Sequence, residues 1–165
     1  MPAVEDAAPC DVSVVLPIYN ERGHLRAEID RIVAALEQSE YSFEIVVVDD
    51  GSDDGSQHDL PLIEGIRLIR HATNRGSGAA RRTGTTAARG RIVVWTDVDM
   101  TYPNDEIPEL VKSLDGYDHV VGAAHRGGHA SPLPCPRQVV HPQVRQLSHR
   151  DGHQGSQLGV AGVPA

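Results

Sequence analysis

The sequence predicts an α/β fold, with a mostly parallel sheet covered by helices on both faces. Short apolar runs alternate with amphipathic segments along residues 11–123, which is the pattern of repeated strand-helix-strand units. Aromatic residues make up only 4% of the chain, so the core consists mainly of aliphatic side chains, as is usual for helices packed on a sheet. The length of 165 residues corresponds to one domain.

The elements of the first half follow from apolar spacing. Residues 12–16 form an apolar run that predicts a buried strand, and apolar positions at helical spacing predict a helix from about Glu21 to Gln38. A second apolar strand covers 43–48 and ends in a turn cluster. The segment 55–65 is short and polar and contains a proline, so we expect only a rudimentary helix there, before a weaker strand at 66–69.

The second half repeats this alternation. The small residues at 76–78 lead into an alanine-rich helix that ends at about Arg89, and residues 91–96 predict a strand. A helix is expected at 106–114, and a last short strand at 119–121. In such sheets, ligands bind beyond the carboxyl ends of the strands, so residues that follow the strands are the first candidates for a site.

The ends of the chain differ in character from the predicted domain. Residues 1–10 form an acidic N-terminal tail. Residues 124–165 contain five of the nine histidines, five of the eleven prolines and one acidic residue, Asp151. No strand or helix period runs through this C-terminal segment, which predicts an irregular, disordered tail.

Charge and cysteine content exclude several classes of protein. A formal net charge of −8 and a single lysine, Lys112, argue against nucleic-acid binding, which requires clustered basic residues. Cys10 and Cys135 are far apart and have no neighbouring ligands at metal-binding spacing, so neither a disulfide framework nor a zinc site is predicted. No signal peptide or membrane-spanning run is recognised, which predicts a cytoplasmic, soluble chain.

Acidic residues follow two of the predicted strands. Asp97 and Asp99 come directly after the strand at 91–96, where both carboxylates can turn toward one ligand. Hard oxygen ligands favour Mg²⁺ or Mn²⁺ bound together with substrate phosphates. Either aspartate could instead only cap a turn, as could Asp49 and Asp50 after the second strand, but two acidic strand ends on one rim favour a binding site.

Two other features carry weaker signals. The sequence from Gly76 to Arg81 suggests a dinucleotide-binding loop, but it lacks the third glycine and the later acidic residue, so close packing of the helix on the sheet is the better interpretation. The scattered histidines form no metal-binding pair on a helix, and no role is assigned to them.

Four motifs together resemble family 2 glycosyltransferases of the GT-A fold, most closely the polyprenol-phosphate sugar synthases. Their order and spacing match across roughly residues 11–123. The motifs are VLPIYNE at 15–21, VVVDDGSDDG at 46–55, NRGSGAA at 74–80 and TDVD at 96–99.

This resemblance implies a nucleoside-diphosphate sugar as donor and inversion at the anomeric carbon, with a lipid phosphate at a membrane surface as a possible acceptor. It also implies Mg²⁺ or Mn²⁺ as cofactor, with Asp99 as the direct ligand, and a peripheral location at the cytoplasmic membrane for full-length relatives. By the same resemblance, the metal and sugar-diphosphate site comprises Asp97 and Asp99, and the nucleotide-sugar pocket comprises Pro17, Tyr19, Glu21, Val48, Asp50, Asp97 and Val98.

The resemblance stops abruptly after residue 123. Relatives continue the last strand as Val-x-Gly-x-Arg, whereas here Val120-Val121-Gly122-Ala123 is followed by Ala124. The family motif and the periodicity of strands and helices both end at this point, and the net charge changes sign. This coincidence suggests that a truncation or frameshift replaced the family's C-terminal half. Resequencing the locus tests this hypothesis, and an intact frame with no shifted frame encoding the missing motifs would contradict it.

Two alternatives follow from these features. A chain that keeps only the donor half could bind a nucleotide sugar without transferring it. Asp97-Val98-Asp99-Met100-Thr101 also matches the D-x-D-x-T motif of haloacid dehalogenase-type phosphatases, in which the first aspartate is phosphorylated. That family places the motif near the start of its domain and needs a later lysine and acidic pair, whereas Lys112 and Asp105-Glu106 follow too closely.

Overall fold

A computed structural model describes residues 9–122 and the backbone of residues 158–162. These residues form one six-stranded sheet in the order β3-β2-β1-β4-β6-β5. The strands are β1 Val12–Ile18, β2 Phe43–Asp49, β3 Ile66–Arg70, β4 Ile92–Trp95, β5 His119–Gly122 and β6 Leu158–Gly162. The α-helices are α1 Leu25–Glu37, α2 Ser56–Asp59, α3 Ser77–Ala87 and α4 Ile107–Lys112, and 3-10 turns cover Leu60–Leu62 and Asn104–Glu106.

The predicted α/β architecture is confirmed. Strand β1 pairs in parallel with β2 on one side and with β4 on the other, and β2 pairs in parallel with β3. Helices α1 and α4 cover one face of the sheet, and α3 packs across β1 and β2 on the other. Each face therefore buries its own aliphatic layer, which explains why the central strands are apolar on both sides.

The structure shifts the predicted start of the first helix and shows what forms in the segment 55–65. Helix α1 begins at Leu25 and not at Glu21, because the chain at 19–24 is held as a loop in which the amide of Arg22 donates to Asp54 at 3.1 Å. The rudimentary helix expected at 55–65 is confirmed as the single turn of α2 followed by a 3-10 turn that contains Pro61.

Helix α3 approaches the sheet through small residues, as expected. Ala80 is fully buried, and a Cβ atom built on Gly84 would lie 2.3 Å from Cγ1 of Val15. Because a side chain at this position would collide with β1, Gly84 sets the distance between α3 and the sheet. Gly76 and Gly78 are exposed and a Cβ on either would meet nothing within 4 Å, so the packing on the sheet that the sequence favoured is made by Ala80 and Gly84 within α3.

The prediction of an irregular tail over 124–165 is wrong at Leu158–Gly162, where the backbone forms β6. This strand runs antiparallel to β4 and β5 and lies between them. Five small and apolar residues are too few to show the alternation that identifies a strand in a sequence. In the fold, the segment pairs with the facing edges of β4 and β5, which would otherwise lack hydrogen-bond partners. The rest of that segment, including Cys135 and five histidines, lies outside the described residues.

Two further observations concern the described part of the chain. Within it, no helix is long and apolar enough to cross a membrane. Cys10 is a free thiol there, and burial raises its pKa.

Candidate active site

The strand order reverses between β1 and β4, which opens a crevice at the carboxyl edge of the sheet. From β1 the chain moves outward through β2 and β3, and then returns to the other side of β1 as β4. Ligands of open α/β sheets bind where the order reverses in this way. The loop after β1 carries Tyr19 and Glu21, and the loop after β4 carries Asp97 and Asp99, so four of the predicted residues flank this crevice.

Three carboxylates share the crevice and repel one another. Burial, followed by the negative charge of Asp99 and then that of Asp97, raises the pKa of Glu21. This electrostatic effect requires the loops after β1 and β4 to face each other, although they are far apart in sequence. Asp99 is exposed to solvent, and Tyr19 is 45% exposed, so a ligand can reach both.

Asp97 is paired with an arginine from α3. One terminal nitrogen of Arg81 lies 3.0 Å from Oδ1 and 3.2 Å from Oδ2 of Asp97. Both side chains are about a third accessible, at 30% and 28%. The charge of Asp97 is therefore largely compensated within the protein, whereas the described contacts of Asp99 include no cation.

The backbone around Asp99 is bent into a tight turn. Oδ1 of Asp99 accepts hydrogen bonds from the amide of Thr101 at 3.1 Å and from its hydroxyl at 2.5 Å. Met100, between them, has a φ of 61°, a left-handed conformation that is uncommon for a residue other than glycine. The turn fixes one carboxylate oxygen of Asp99 and leaves the other, Oδ2, without a partner among the described contacts.

A buried polar network supports this loop from below. Asn104 donates through Nδ2 to Oε2 of Glu28 at 2.6 Å, and it accepts at Oδ1 from the hydroxyl of Thr96 at 2.5 Å. The same amide lies 3.3 Å from the carbonyl oxygen of Asp97. Since Glu28 is only 1% exposed, the network connects α1 to the start of the acidic loop through groups that are shielded from water.

The loops after β1 and β2 are tied to each other. The side chain of Asn20 donates to Asp53, and the amide of Asp53 donates back to Asn20, both at 3.0 Å. The amide of Asn20 also donates to the hydroxyl of Ser52 at 3.1 Å. Because of these reciprocal bonds, the loop that carries Tyr19 and Glu21 is held in place by the loop after β2.

Asp50 anchors the loop that leads into α3. Its carboxylate accepts from the amides of Arg75 at 3.0 Å and Gly76 at 2.7 Å, and it lies 2.6 Å from Nδ1 of His71. Burial alone would raise the pKa of Asp50, but the hydrogen bonds from His71 and the two amides outweigh it and lower the pKa. Asp50 is 2% exposed and has its hydrogen bonds inside the protein, so its contact with a nucleotide stays a prediction.

Three other predicted residues are mostly enclosed. Val48 is fully buried against α3, and Val98 is 1% exposed in the main core. Pro17 is half-buried at the end of β1. Val48 and Val98 belong to separate hydrophobic clusters, and direct contact of any of the three residues with a nucleotide sugar stays a prediction.

Sequence reasoning missed Arg81, Glu28, Asn104 and His71. Two of them had a recognisable signal. Glu28 interrupts the apolar stripe of α1, and Arg81 lies three residues before Gly84, on a helix that meets the sheet through small residues. Asn104 and His71 gave no such signal, because their partners are distant in sequence.

The crevice residues suit a hard divalent cation bound together with phosphates. Asp97, Asp99 and Glu21 offer only carboxylate oxygens, the ligand type that Mg²⁺ and Mn²⁺ prefer. In residues 9–122, no group of three or more acidic, histidine or cysteine side chains could hold a metal ion alone. A cation here would therefore complete its coordination with phosphate oxygens and water, as Mg²⁺ usually does.

A mostly parallel sheet with a crevice at its reversal point and an acidic loop after β4 indicates an α/β protein of the GT-A fold. A family model described as glycosyl transferase family 2 matches residues 13–150. The match covers most of the chain, and it extends beyond residue 123, where the resemblance of the motifs stops. This chain belongs to glycosyl transferase family 2.

The most similar curated relatives include two undecaprenyl-phosphate 4-deoxy-4-formamido-L-arabinose transferases. The protein of Aeromonas hydrophila subsp. hydrophila is 41% identical over 121 residues, which cover 70% of this chain and 37% of the relative. The protein of Pseudomonas syringae pv. syringae is 43% identical over 121 residues, covering 67% and 34%. The aligned region thus spans just over a third of the relatives' length.

Solved structures of two enzymes share the fold. The glucosyl-3-phosphoglycerate synthase of Mycobacterium tuberculosis, in complex with Mn²⁺, UDP and phosphoglyceric acid, superposes with a TM-score of 0.58 at 29% identity, covering 72% of this chain and 44% of that one. The mannosyltransferase PcManGT of Pyrobaculum calidifontis, in complex with GDP-Man and Mn²⁺, gives 0.51 at 28% identity, covering 72% and 37%.

The phosphatase alternative loses its support. Its D-x-D-x-T motif follows the fourth strand of the sheet, and the aspartate that would have to be the nucleophile is paired with Arg81. The hydroxyl of Thr101 is bonded to Asp99. Together with the family match, these contacts favour a glycosyltransferase site.

Proposed function

We propose that this chain binds a nucleoside-diphosphate sugar in the crevice between β1 and β4 and serves transfer of the sugar to a polyprenyl phosphate. The observation that carries the proposal is the acidic crevice itself, with Glu21 facing Asp97 and Asp99 at the point where the strand order reverses. Membership of glycosyl transferase family 2 supports the reaction class.

Donor binding would use both loops of the crevice. Tyr19 and Glu21 border it from β1, and Pro17 lies at the base of that loop. Asp50 would support donor binding by fixing the amides of Arg75 and Gly76, just before α3 begins. The tied loops after β1 and β2 are held before a ligand arrives, which lowers the entropic cost of ordering the pocket.

Asp99, with Asp97 beside it, would hold Mg²⁺ or Mn²⁺. When bound, the cation neutralises charge on the leaving diphosphate. The turn at Met100 orients Asp99, and Asn104 holds the carbonyl of Asp97, so this chain's own part is to fix the carboxylates where they can hold a cation shared with the donor phosphates. That complexes of two structural relatives contain Mn²⁺ supports this choice of cofactor.

The acceptor would be a lipid phosphate at a membrane surface, as the names of the curated relatives indicate. An oxygen of the acceptor phosphate attacks the anomeric carbon while the bond from that carbon to the diphosphate breaks, and the configuration inverts. Because a phosphate is already an anion, no general base has to remove a proton. The transfer would then take place peripherally at the cytoplasmic membrane.

Calorimetric titration of the purified chain with GDP, UDP and dTDP, each with and without Mn²⁺, tests donor binding. We expect one nucleotide to bind in a Mn²⁺-dependent manner, and Asp99→Ala to abolish that dependence. Asp115→Ala removes an exposed carboxylate after α4 and is the matched control, which should bind like the unsubstituted chain. No binding of any nucleotide, with or without Mn²⁺, would contradict the proposal.

Transfer is a separate step, and its assay distinguishes the two forms of the hypothesis. The chain is incubated with the radiolabelled sugar donor of the nucleotide that binds, together with undecaprenyl phosphate in detergent. Labelled lipid product would establish a transferase, and donor binding without product would identify a nucleotide-sugar-binding chain that does not transfer.

A further inference from the structure

Arg81 is the one cation that the described contacts place directly on an aspartate of the acidic loop after β4. It reaches Asp97 from α3, with one terminal nitrogen at 3.0 and 3.2 Å from the two carboxylate oxygens. The neighbouring Arg82 is exposed on the same helix, and no side-chain partner of it is seen among the described residues. Two adjacent arginines thus differ in a single respect that matters here, the contact with Asp97.

The position of Arg81 is not the one that stability alone would select. Its Nε is buried and has no hydrogen-bond partner within residues 9–122. Leaving a buried donor without a partner costs free energy, so such sites are kept where another requirement outweighs the cost. The side chain is also held by its contact with Asp97, so its charge stays close to the crevice.

The charges of the crevice suggest what this requirement is. Glu21, Asp97 and Asp99 supply three carboxylates, and Arg81 compensates one of them. A divalent cation that arrives alone meets an arginine beside Asp97, and a diphosphate that arrives alone meets the remaining carboxylates. Arg81 therefore weakens the attraction of the site for the cation alone, the carboxylates repel the diphosphate alone, and each ligand offsets the charge that opposes the other.

We infer that Arg81, by neutralising Asp97, makes binding of the divalent cation depend on the donor diphosphate. Arg81 is a positioning residue, since it acts through Asp97, and the inference rests on the proposed donor site. Asp99 is then the main protein ligand for the cation. The coupling is reciprocal, so the nucleotide must strengthen Mn²⁺ binding by the same factor by which Mn²⁺ strengthens nucleotide binding.

Mn²⁺ binding, measured by the loss of the free-ion signal in electron paramagnetic resonance, tests the inference without any assay of activity. The chain is titrated with Mn²⁺ alone and with Mn²⁺ in the presence of the nucleotide that binds. For the unsubstituted protein we expect Mn²⁺ affinity to rise on the order of tenfold or more with nucleotide, a size typical of coupling between sites. Tight Mn²⁺ binding without nucleotide would overturn the inference, whatever the variants show.

Substitution of the arginine separates charge from structure. In Arg81→Gln, Mn²⁺ alone should bind on the order of tenfold more tightly, because a positive charge beside the site is removed. Arg82→Gln changes the same charge one residue away and should leave Mn²⁺ binding unchanged, and Arg81→Lys should retain the weak binding of Mn²⁺ alone. A purely structural role predicts weaker binding in Arg81→Gln, never stronger.

The outcomes distinguish this inference from the proposed function. If the unsubstituted chain binds no nucleotide with Mn²⁺, the donor site itself fails. If coupled binding is present but Arg81→Gln behaves like Arg82→Gln, the donor site stands and the role of Arg81 is refuted. Thermal unfolding of each variant confirms that it is folded, and Arg81→Met, which also removes the charge and keeps an aliphatic stem, takes the place of Arg81→Gln if that variant does not fold.

Discussion

Glu21 is held in the crevice against its own electrostatic preference. Burial and the charges of Asp99 and Asp97 favour its protonated form. A carboxyl group with a pKa raised by folding destabilises the folded state progressively as the pH rises from the unfolded-state pKa through the raised pKa. The ionised glutamate therefore costs stability at neutral pH, and this pattern is common where a binding site concentrates charge for a ligand.

Glu21→Gln is expected to stabilise the protein at neutral pH while weakening nucleotide binding. The unfolded chain loses its glutamate proton first as pH rises, so the unsubstituted protein loses stability through the interval up to the raised pKa, and the glutamine variant does not. Thermal unfolding at pH 7 should give an increase of about 2 °C, which disappears at about pH 3, below the pKa of a glutamate in the unfolded chain, where Glu21 is protonated in both states.

Glu37→Gln removes an exposed carboxylate from the end of α1 and serves as the control. It should change the unfolding temperature little at either pH. Equal shifts for both variants would mean that the net charge of the chain, and not the crevice, causes the effect.

At the scale of elements, the acidic loop after β4 depends on contacts with helices that lie on opposite faces of the sheet. Helix α3 provides Arg81 to the carboxylate of Asp97, and α1 provides Glu28 to the amide of Asn104. The start of the loop, at Asp97, is therefore held by contacts from both faces of the sheet. Such support is what a metal and phosphate site needs, since small displacements of its ligands cost affinity.

Exchanging the amide of Asn104 and the carboxylate of Glu28 tests whether their hydrogen bond supports the acidic loop. Asn104→Asp places a second carboxylate against Glu28 in the core and should lower the free energy of unfolding by about 3 kcal/mol or more. Glu28→Gln removes the charge and keeps an oxygen that can accept from the amide of Asn104, so about 1 kcal/mol is expected. The double variant restores one carboxylate and one amide, and it should recover much of the loss.

Urea denaturation of the four proteins measures this coupling. If the costs of the single variants simply add in the double variant, Glu28 and Asn104 do not interact as the structure shows. Coupled recovery of stability, accompanied by recovered nucleotide affinity, would connect the network to the position of the acidic loop.

At the scale of the whole molecule, the sequence predicted the sheet, its layers and the rim on which the crevice lies. Aspartates after β2 and β4 can be located because strand ends are local features. The pairing of Arg81 with Asp97, and of Asn104 with Glu28, could not be predicted, since it depends on how α3 and α1 dock on the sheet. Strand β6 was not predicted because its five residues lie far from β5 in the sequence and show no alternation of apolar and polar side chains.

Strand β6 lies between β4 and β5, so its loss should expose the edge of β4. Its backbone pairs Val160 with Val94 on one side and with Val120 on the other. Val160→Pro removes the amide hydrogen of a strand that has neighbours on both sides, which such strands do not tolerate. We expect faster hydrogen exchange in β4 and β5, with exchange in β2 and β3 unchanged.

Val160→Ala retains the amide and is the matched control, so its exchange in β4 and β5 should stay close to that of the unsubstituted chain. Hydrogen exchange followed by mass spectrometry of peptides from each strand provides the measurement. Unchanged protection of β4 in Val160→Pro would mean that β6 contributes nothing to the sheet. Faster exchange limited to β4 and β5 would instead show that β6 protects the strand that leads directly into the acidic loop.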